Sequence, residues 1–159
     1  RMFEVSIQQQ DFDVAVLQRE LLGDDQSVGA LASFVGLVRE GSGEDQISCM
    51  ELEHYSGMTE RSIATIVEDA RRRWHLQAVR VVHRVGALKP GEQIVYVGVT
   101  GLHRGEAFMA CEFIMDYLKT RAPFWKKEHR EGGASWVDAR DSDFDAAARW
   151  QQQGLASPK

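Results

Sequence analysis

Cysteine is scarce in this chain, with only Cys49 and Cys111 among 159 residues. No CxxC pair and no Cys/His spacing surrounds either one, so a disulfide framework and a clustered metal site are both unsupported. Cys111 falls on an apolar helical stripe and Cys49 in a strand-like run, and both read as structural. Two cysteines without a framework point to a reducing compartment, and the expected location is the cytoplasm. Long apolar runs are also missing. Nothing approaches the roughly 20 residues that span a bilayer, and the N-terminus carries no signal-peptide core. Positive charge is in the minority, with 19 Lys and Arg against 24 Asp and Glu and a net charge of −5. A protein devoted to a nucleic-acid backbone is usually basic, so that class loses ground. An acidic chain with a local basic patch suits a small anionic ligand better.

What is present is an ordinary globular composition, 43% apolar and 27% charged, at a length that fits one domain. One domain over 1–150 is expected, followed by a polar tail, 151–159, that reads as disordered. The most informative stretch is Met115 to Glu128. Phe108, Cys111, Ile114, Met115 and Leu118 recur at helical spacing. Pro123 disfavours helical geometry at Ala122, so the helix should stop near Thr120 or Arg121. Phe124 to Glu128 then reads as a strand. The corner can bring Lys119 and Lys126 to one spot. In the plain reading, Lys119 meets the negative end of a helix dipole, worth roughly 0.3–1 kcal/mol. In the functional reading, Phe124 and Trp125 wall an anion-binding or catalytic pocket. A lysine desolvated there beside a second cation loses part of its proton affinity and can act as base or nucleophile.

The rest of the chain reads as follows. Met2 to Gln8 alternates as a half-buried strand. Asp11 can cap a helix to about Leu22. Gly29 to Val38 is nearly all apolar and is expected to be a strand buried on both faces. It ends at Arg39 beside a flexible loop, Gly41 to Asp45. Ile47 to His54 is a strand, and Thr59 is expected to cap a helix to about Trp74. Its Arg71-Arg72-Arg73 run is offset by Glu68 and Asp69 and reads as solvated surface. Val79 to Val85 and Ile94 to Thr100 are expected to form a hairpin across Leu88-Lys89-Pro90-Gly91-Glu92. His54 and His83 read as structural. Ser135 to Ala139 should return against Phe124 to Glu128, and a short helix should run through Trp150. Strands, hairpins and helices mix without a repeat, so the class is α+β.

Two cationic spots outside the corner stand out. Arg39 leaves a central strand at a glycine-rich loop, where a guanidinium can fork a phosphate or carboxylate. His103 and Arg104 sit where the long helix begins. Positive side chains oppose the dipole there, and local rules are often broken at functional sites. In the plain reading all three simply point into solvent.

Several segments together resemble the MoaE family, the large catalytic subunits of molybdopterin synthase. They are Phe34 to Arg39, Leu52 to Thr59, His83 to Gly86, Val97 to Thr100, His103-Arg104 and, above all, Met115 to Lys127. The resemblance covers about Gly29 to Trp150. It implies an α/β hammerhead fold with a mixed or antiparallel sheet and two to three packed helices. It implies a homodimer that binds two small ubiquitin-like subunits, a heterotetramer in all. The small subunit's C-terminal thiocarboxylate would give sulfur to cyclic pyranopterin monophosphate, forming the dithiolene of molybdopterin.

On that resemblance Lys119 and Lys126 are the catalytic residues. Arg39, His103, Arg104, Lys127, Val38, Leu37 and Glu128 bind substrate, with His103 and Arg104 reaching in from the neighbouring protomer. Phe34, Met115 and Phe124 would wall the pocket, although plain core packing suits each equally well. Sulfur supplied by the partner leaves no need for a metal, a cofactor or a reactive cysteine in this chain. Two rivals remain. One is a non-catalytic module holding RNA or a nucleotide with the Lys119–Arg130 cluster, whose binding would fall steeply with salt. The other is a lysine-dependent transferase that turns over without a partner.

Overall fold

A computed structural model describes residues 2–41, 46–137 and 140–155 of the chain. The elements run β1 (Phe3–Gln8), α1 (Val14–Leu22), β2 (Ala30–Leu37), β3 (Cys49–His54), α2 (Met58–Arg73), β4 (Leu76–Arg84), β5 (Gly86–Leu88), β6 (Gln93–Gly101), α3 (Arg104–Thr120), β7 (Phe124–Arg130), β8 (Gly133–Val137) and α4 (Asp141–Leu155). They build two four-stranded sheets, ordered β1-β4-β6-β2 and β5-β3-β7-β8. The first sheet is mixed, because β1 runs parallel to β4 while the other pairs are antiparallel. The second is antiparallel throughout. The expected α+β class holds, with four helices rather than two or three.

Alternation along β4 and β6 divides the core. Val79, Val81, Val95, Val97 and Val99 face one way and pack under α2 and α3 with Ile63, Ile66, Phe113 and Ile114. Val82 and Tyr96 face the other way and meet Leu17 and Leu21 of α1. Val38, Met50, Leu52, Val85 and Leu88 join the two sheets. Because side chains alternate with period two, one strand serves two layers without changing composition. Glycine is required in β6. A Cβ on Gly98 would lie 2.4 Å from Leu21 Cδ1 and 2.5 Å from the Tyr96 hydroxyl.

Several local expectations need correction. Asp13, not Asp11, caps α1, accepting from the Ala15 N–H at 2.9 Å. Asp11 instead accepts from the Gln93 side chain at 2.8 Å. Gly57 is the N-cap of α2, at a φ of +86° that suits glycine, and its N–H donates to Glu60 at 2.8 Å. Thr59 is fully buried inside the first turn, and its hydroxyl donates to the Pro123 carbonyl at 2.9 Å while accepting from the Tyr55 N–H at 2.9 Å. β2 is an edge strand and not buried on both faces, with Phe34 42% and Leu37 56% exposed. The β4–β6 pair forms as expected, but β5 interrupts its connection and pairs with β3. β8 (Gly133–Val137) pairs with Lys126–Arg130 in the expected register, Glu128 opposite Ser135, and the ladder begins two residues nearer the turn. Helix α4 continues past Trp150 to Leu155, so the start of the expected disordered tail is helical. The loop positions 42–45, the strand end at 138–139 and the tail positions 156–159 lie outside the described residues.

Candidate active site at the end of helix α3

Helix α3 ends where its sequence says it must. It runs to Thr120, Arg121 caps it with its N–H on the Tyr117 carbonyl, and Pro123 precedes β7. The corner is pinned from below by the hydroxyl of Thr59 on the Pro123 carbonyl. This fixes the relation between the last turn of α3, carrying Lys119, and the first residues of β7, carrying Lys126.

Lys119 lies between two adjoining hollows. One, of about 500 Å³, is lined by Ala32, Ser33, Phe34 of β2, Cys111, Met115 and Asp116 of α3, and Asp143 of α4. The other, of about 360 Å³, is lined by Phe34, Leu37, His83, Ile94 and Met115. Phe34, Met115 and Lys119 belong to both. The smaller hollow is mostly apolar, the larger carries the carboxylates of Glu112, Asp116 and Asp143, and the Lys119 cation stands where the two meet.

Lys126 is half-buried on the inner face of β7, opposite Leu52. Burial lowers the proton affinity of its ammonium, and the nearby Lys119 charge lowers it further, against a smaller opposing pull from Glu128. Arg140 and Asp143, at the start of α4, act on it as well. His83 projects from β4 on the α3 side of the sheet, and its ring stacks on Phe124 at 3.9 Å between centroids. Burial drives its pKa down to about 4, with the positive charges of Lys119 and His54 adding to the effect. Lys119, Lys126 and His83 thus share one electrostatic neighbourhood although they come from three elements. The sequence reading missed His83, Arg140 and Asp143. A lone histidine in a strand gives no signal, and the start of α4 is brought in only by tertiary packing.

The remaining sequence candidates are dispersed. Leu37 lines the smaller hollow, and Arg39 is exposed two residues further along, beyond the end of β2. Val38 is 2% exposed and packs between the sheets, with its N–H on the Glu92 carbonyl at 2.9 Å. Its side chain faces away from the hollows into that packing. Glu128 is buried and ion-paired with Arg130 at 2.6 Å. Lys127 points to the opposite face of β7 from Lys126, with its ammonium 5.4 Å from the Trp136 ring. His103 and Arg104 start α3, roughly 22 Å from Lys119 along the helix axis. Within one chain they cannot meet it.

The Lys119–Arg130 run is consequently not one basic face. Lys126 points inward, Lys127 outward, Arg130 is held by Glu128, and Arg121 is ion-paired with Asp69 at 3.5 Å. Among the described residues no group of His, Cys, Asp or Glu side chains could hold a metal ion. No helix there is long and apolar enough to cross a membrane.

The MoaE protein profile matches residues 7–121. The chain belongs to the MoaE family. A curated relative, the molybdopterin synthase catalytic subunit of Vibrio cholerae, is 53% identical over 147 residues, covering 92% of this chain and 97% of its own. The solved molybdopterin biosynthesis MoaE protein from Burkholderia ambifaria superposes with a TM-score of 0.81 at 51% identity, covering 94% of this chain and 99% of that one. The molybdopterin synthase structure from Staphylococcus aureus gives 0.77 at 28% identity, over 86% and 97%. MoaE membership bears out the sequence resemblance and favours an enzyme over a nucleic-acid-binding module.

Proposed function

We propose that this MoaE chain is the catalytic half of a molybdopterin synthase. It takes sulfur from the C-terminal thiocarboxylate of a small ubiquitin-like subunit and places it on cyclic pyranopterin monophosphate, twice, to form the dithiolene. The observation that carries this reading is Lys119 standing where two hollows meet, within electrostatic reach of the half-buried Lys126. Donor tail and acceptor are both anions and repel one another in water. The Lys119 ammonium at the junction of the hollows, with the Lys126 charge near it, offsets that repulsion and stabilises charge that develops as sulfur attacks carbon.

Lys119, exposed on the last helical turn, acts as general acid/base or accepts the acyl tail for a moment. Lys126 is already partly desolvated and feels the Lys119 charge, which suits it to hold negative charge. Leu37 lines the smaller hollow, and Arg39, exposed two residues beyond it, takes the substrate phosphate. His103 and Arg104 serve the site of a second copy, since the length of α3 keeps them from their own Lys119. The exposed apolar side chains Phe34, Leu37, Phe108 and Met109 favour such a homodimer. The relatives' name, catalytic subunit, presupposes a second kind of subunit, and the whole assembly would be a heterotetramer in the cytoplasm. The chain itself supplies positioning and charge, with sulfur arriving from outside, so no cofactor is invoked.

The test is reconstitution. This chain, a thiocarboxylated small subunit and the pyranopterin monophosphate are mixed, and the dithiolene product is sought by mass. Product should appear only when the thiocarboxylated subunit is present. Turnover by the chain alone, or none with every component, would overturn the proposal.

A further inference from the structure

Lys119 lacks a hydrogen-bond or carboxylate partner among the described residues, and its four-carbon stem is exposed. A long, unheld ammonium is poorly aimed, and catalysis depends on aim. The acids that line the larger hollow with Lys119 are already engaged, Glu112 by Arg149 at 2.9 Å. Asp116 accepts from the Trp150 indole N–H at 2.6 Å and from Arg149 at 3.0 Å. Asp143 accepts from the Arg140 N–H at 3.1 Å. A carboxylate would in any case be a poor anchor, because it would cancel the lysine's charge and repel an anionic occupant.

His83 has the properties such an anchor needs. Its Nδ1 lies 2.8 Å from the Arg84 carbonyl. A carbonyl can only accept, so Nδ1 carries the hydrogen and Nε2 is left with a lone pair. The ring is clamped by its stack on Phe124 and lines the smaller hollow together with Lys119. The charged groups that face it are Lys119 from α3 and His54 from β3, the latter 3.7 Å from Glu60. The lining from β2 and β6, namely Phe34, Val35, Gly36, Leu37, Ile94 and Val95, is uncharged. Burial of the ring, with the Lys119 charge adding to it, keeps the imidazole neutral at pH 7.

We propose that His83 is a positioning residue for Lys119: the two line one hollow without a hydrogen bond between them, and when an anion enters, the His83 Nε2 takes one N–H of the Lys119 ammonium and aims the other two at the anion. A neutral acceptor fixes the direction of the ammonium without removing its charge. This assignment rests on the reading of the crevice as the sulfur-transfer site. It adds a residue whose contribution is orientation and not contact with the reacting atoms.

The test compares His83→Phe, which keeps a ring on Phe124 but no acceptor, with His83→Gln, which keeps an acceptor. Single-turnover rates with a thiocarboxylated small subunit should fall about tenfold to a hundredfold in His83→Phe, the span of one charge-assisted hydrogen bond. His83→Gln should recover most of that loss, while KM for the pyranopterin changes little in either. Should His83→Phe not fold, His83→Leu supplies the acceptor-free comparison. A readout independent of turnover is the Lys119 ammonium resonance in a 15N-lysine-labelled chain. With the pyranopterin or inorganic phosphate in the hollow, its protons should exchange slowly in the wild type and in His83→Gln, and fast in the acceptor-free variant. Equal rates in all three chains, or a glutamine variant as slow as phenylalanine in a folded protein, would overturn the assignment. So would Lys119 exchange that is the same with and without an acceptor. A wild-type chain that makes no product fails the functional reading instead, and the exchange measurement still decides the role of His83.

Discussion

Truncating Trp150 to alanine should loosen one wall of the candidate crevice, and the structure sets the size of the effect. Trp150 is 3% exposed and meets Phe113 at 5.5 Å and Trp74 at 5.6 Å, both edge-on. Its indole N–H donates to Asp116 at 2.6 Å, and its carbonyl accepts from Arg73 at 2.8 Å. These contacts seat α4 on α3, and α4 brings Asp143 to the larger hollow. Removing a buried aromatic side chain costs about 3–5 kcal/mol. For a domain of this size that corresponds to a fall in Tm of roughly 6–20 °C. Trp150→Phe separates the terms. It keeps most of the packing but leaves the Asp116 carboxylate short of a donor, a loss of about 1.5–3 kcal/mol. Urea titration followed by circular dichroism measures both variants. Hydrogen exchange locates the damage, which should concentrate in α4 while β4 and β6 stay protected. A Trp150→Ala loss below about 1 kcal/mol, or exchange that rises equally across the chain, would refute this seating of α4.

Other expectations follow from single features. His83 has a folded pKa of about 4 against an ordinary value of 6.5, so the unfolded chain binds more protons in that window. Stability should therefore drop as pH falls from 6.5 to 4, by up to about 3 kcal/mol from this group, and a denaturation series should lose that part of the slope in His83→Phe. Gly98→Ala pushes a methyl onto Leu21 and the Tyr96 hydroxyl, where the tyrosine is fully buried, and should cost about 1–3 kcal/mol in the same urea assay. If His103 and Arg104 act on the partner copy, chains carrying Lys119→Ala and Arg104→Ala should rescue each other on subunit exchange. Random mixing leaves about a quarter of the sites intact, so activity should return toward that fraction, whereas sites built within one chain would stay dead.

The corner that organises the crevice was legible because proline acts locally. Pro123 ends α3 whatever the surroundings, and Lys119 and Lys126 follow from counting residues on either side. The strands were legible from their alternation, apart from β5, whose three residues offer no period to read. The misreading of β2 has a physical cause. An apolar run reports that a surface will be covered but not whether sheet, helix or another molecule covers it, and Phe34 and Leu37 are uncovered in the single chain. The caps were missed because Asp11 and Asp13 both precede the same helix, and Gly57 with Glu60 does the work expected of Thr59. His83 was beyond reach for another reason. Its neutral state and clamped ring arise from Phe124, Lys119 and His54, which lie between 29 and 41 positions away. Lys127 shows the limit of counting, since it adjoins Lys126 in sequence and faces away from it in space.

The central claim is that Lys119 is where sulfur transfer is carried out, and single-turnover reconstitution of Lys119→Ala tests it most directly. With thiocarboxylated small subunit and precursor in excess, the variant should yield dithiolene at a rate lower by 10²- to 10⁴-fold, with its melting curve and its binding of the small subunit intact. A folded, partner-binding Lys119→Ala chain that makes product at close to the wild-type rate would contradict it.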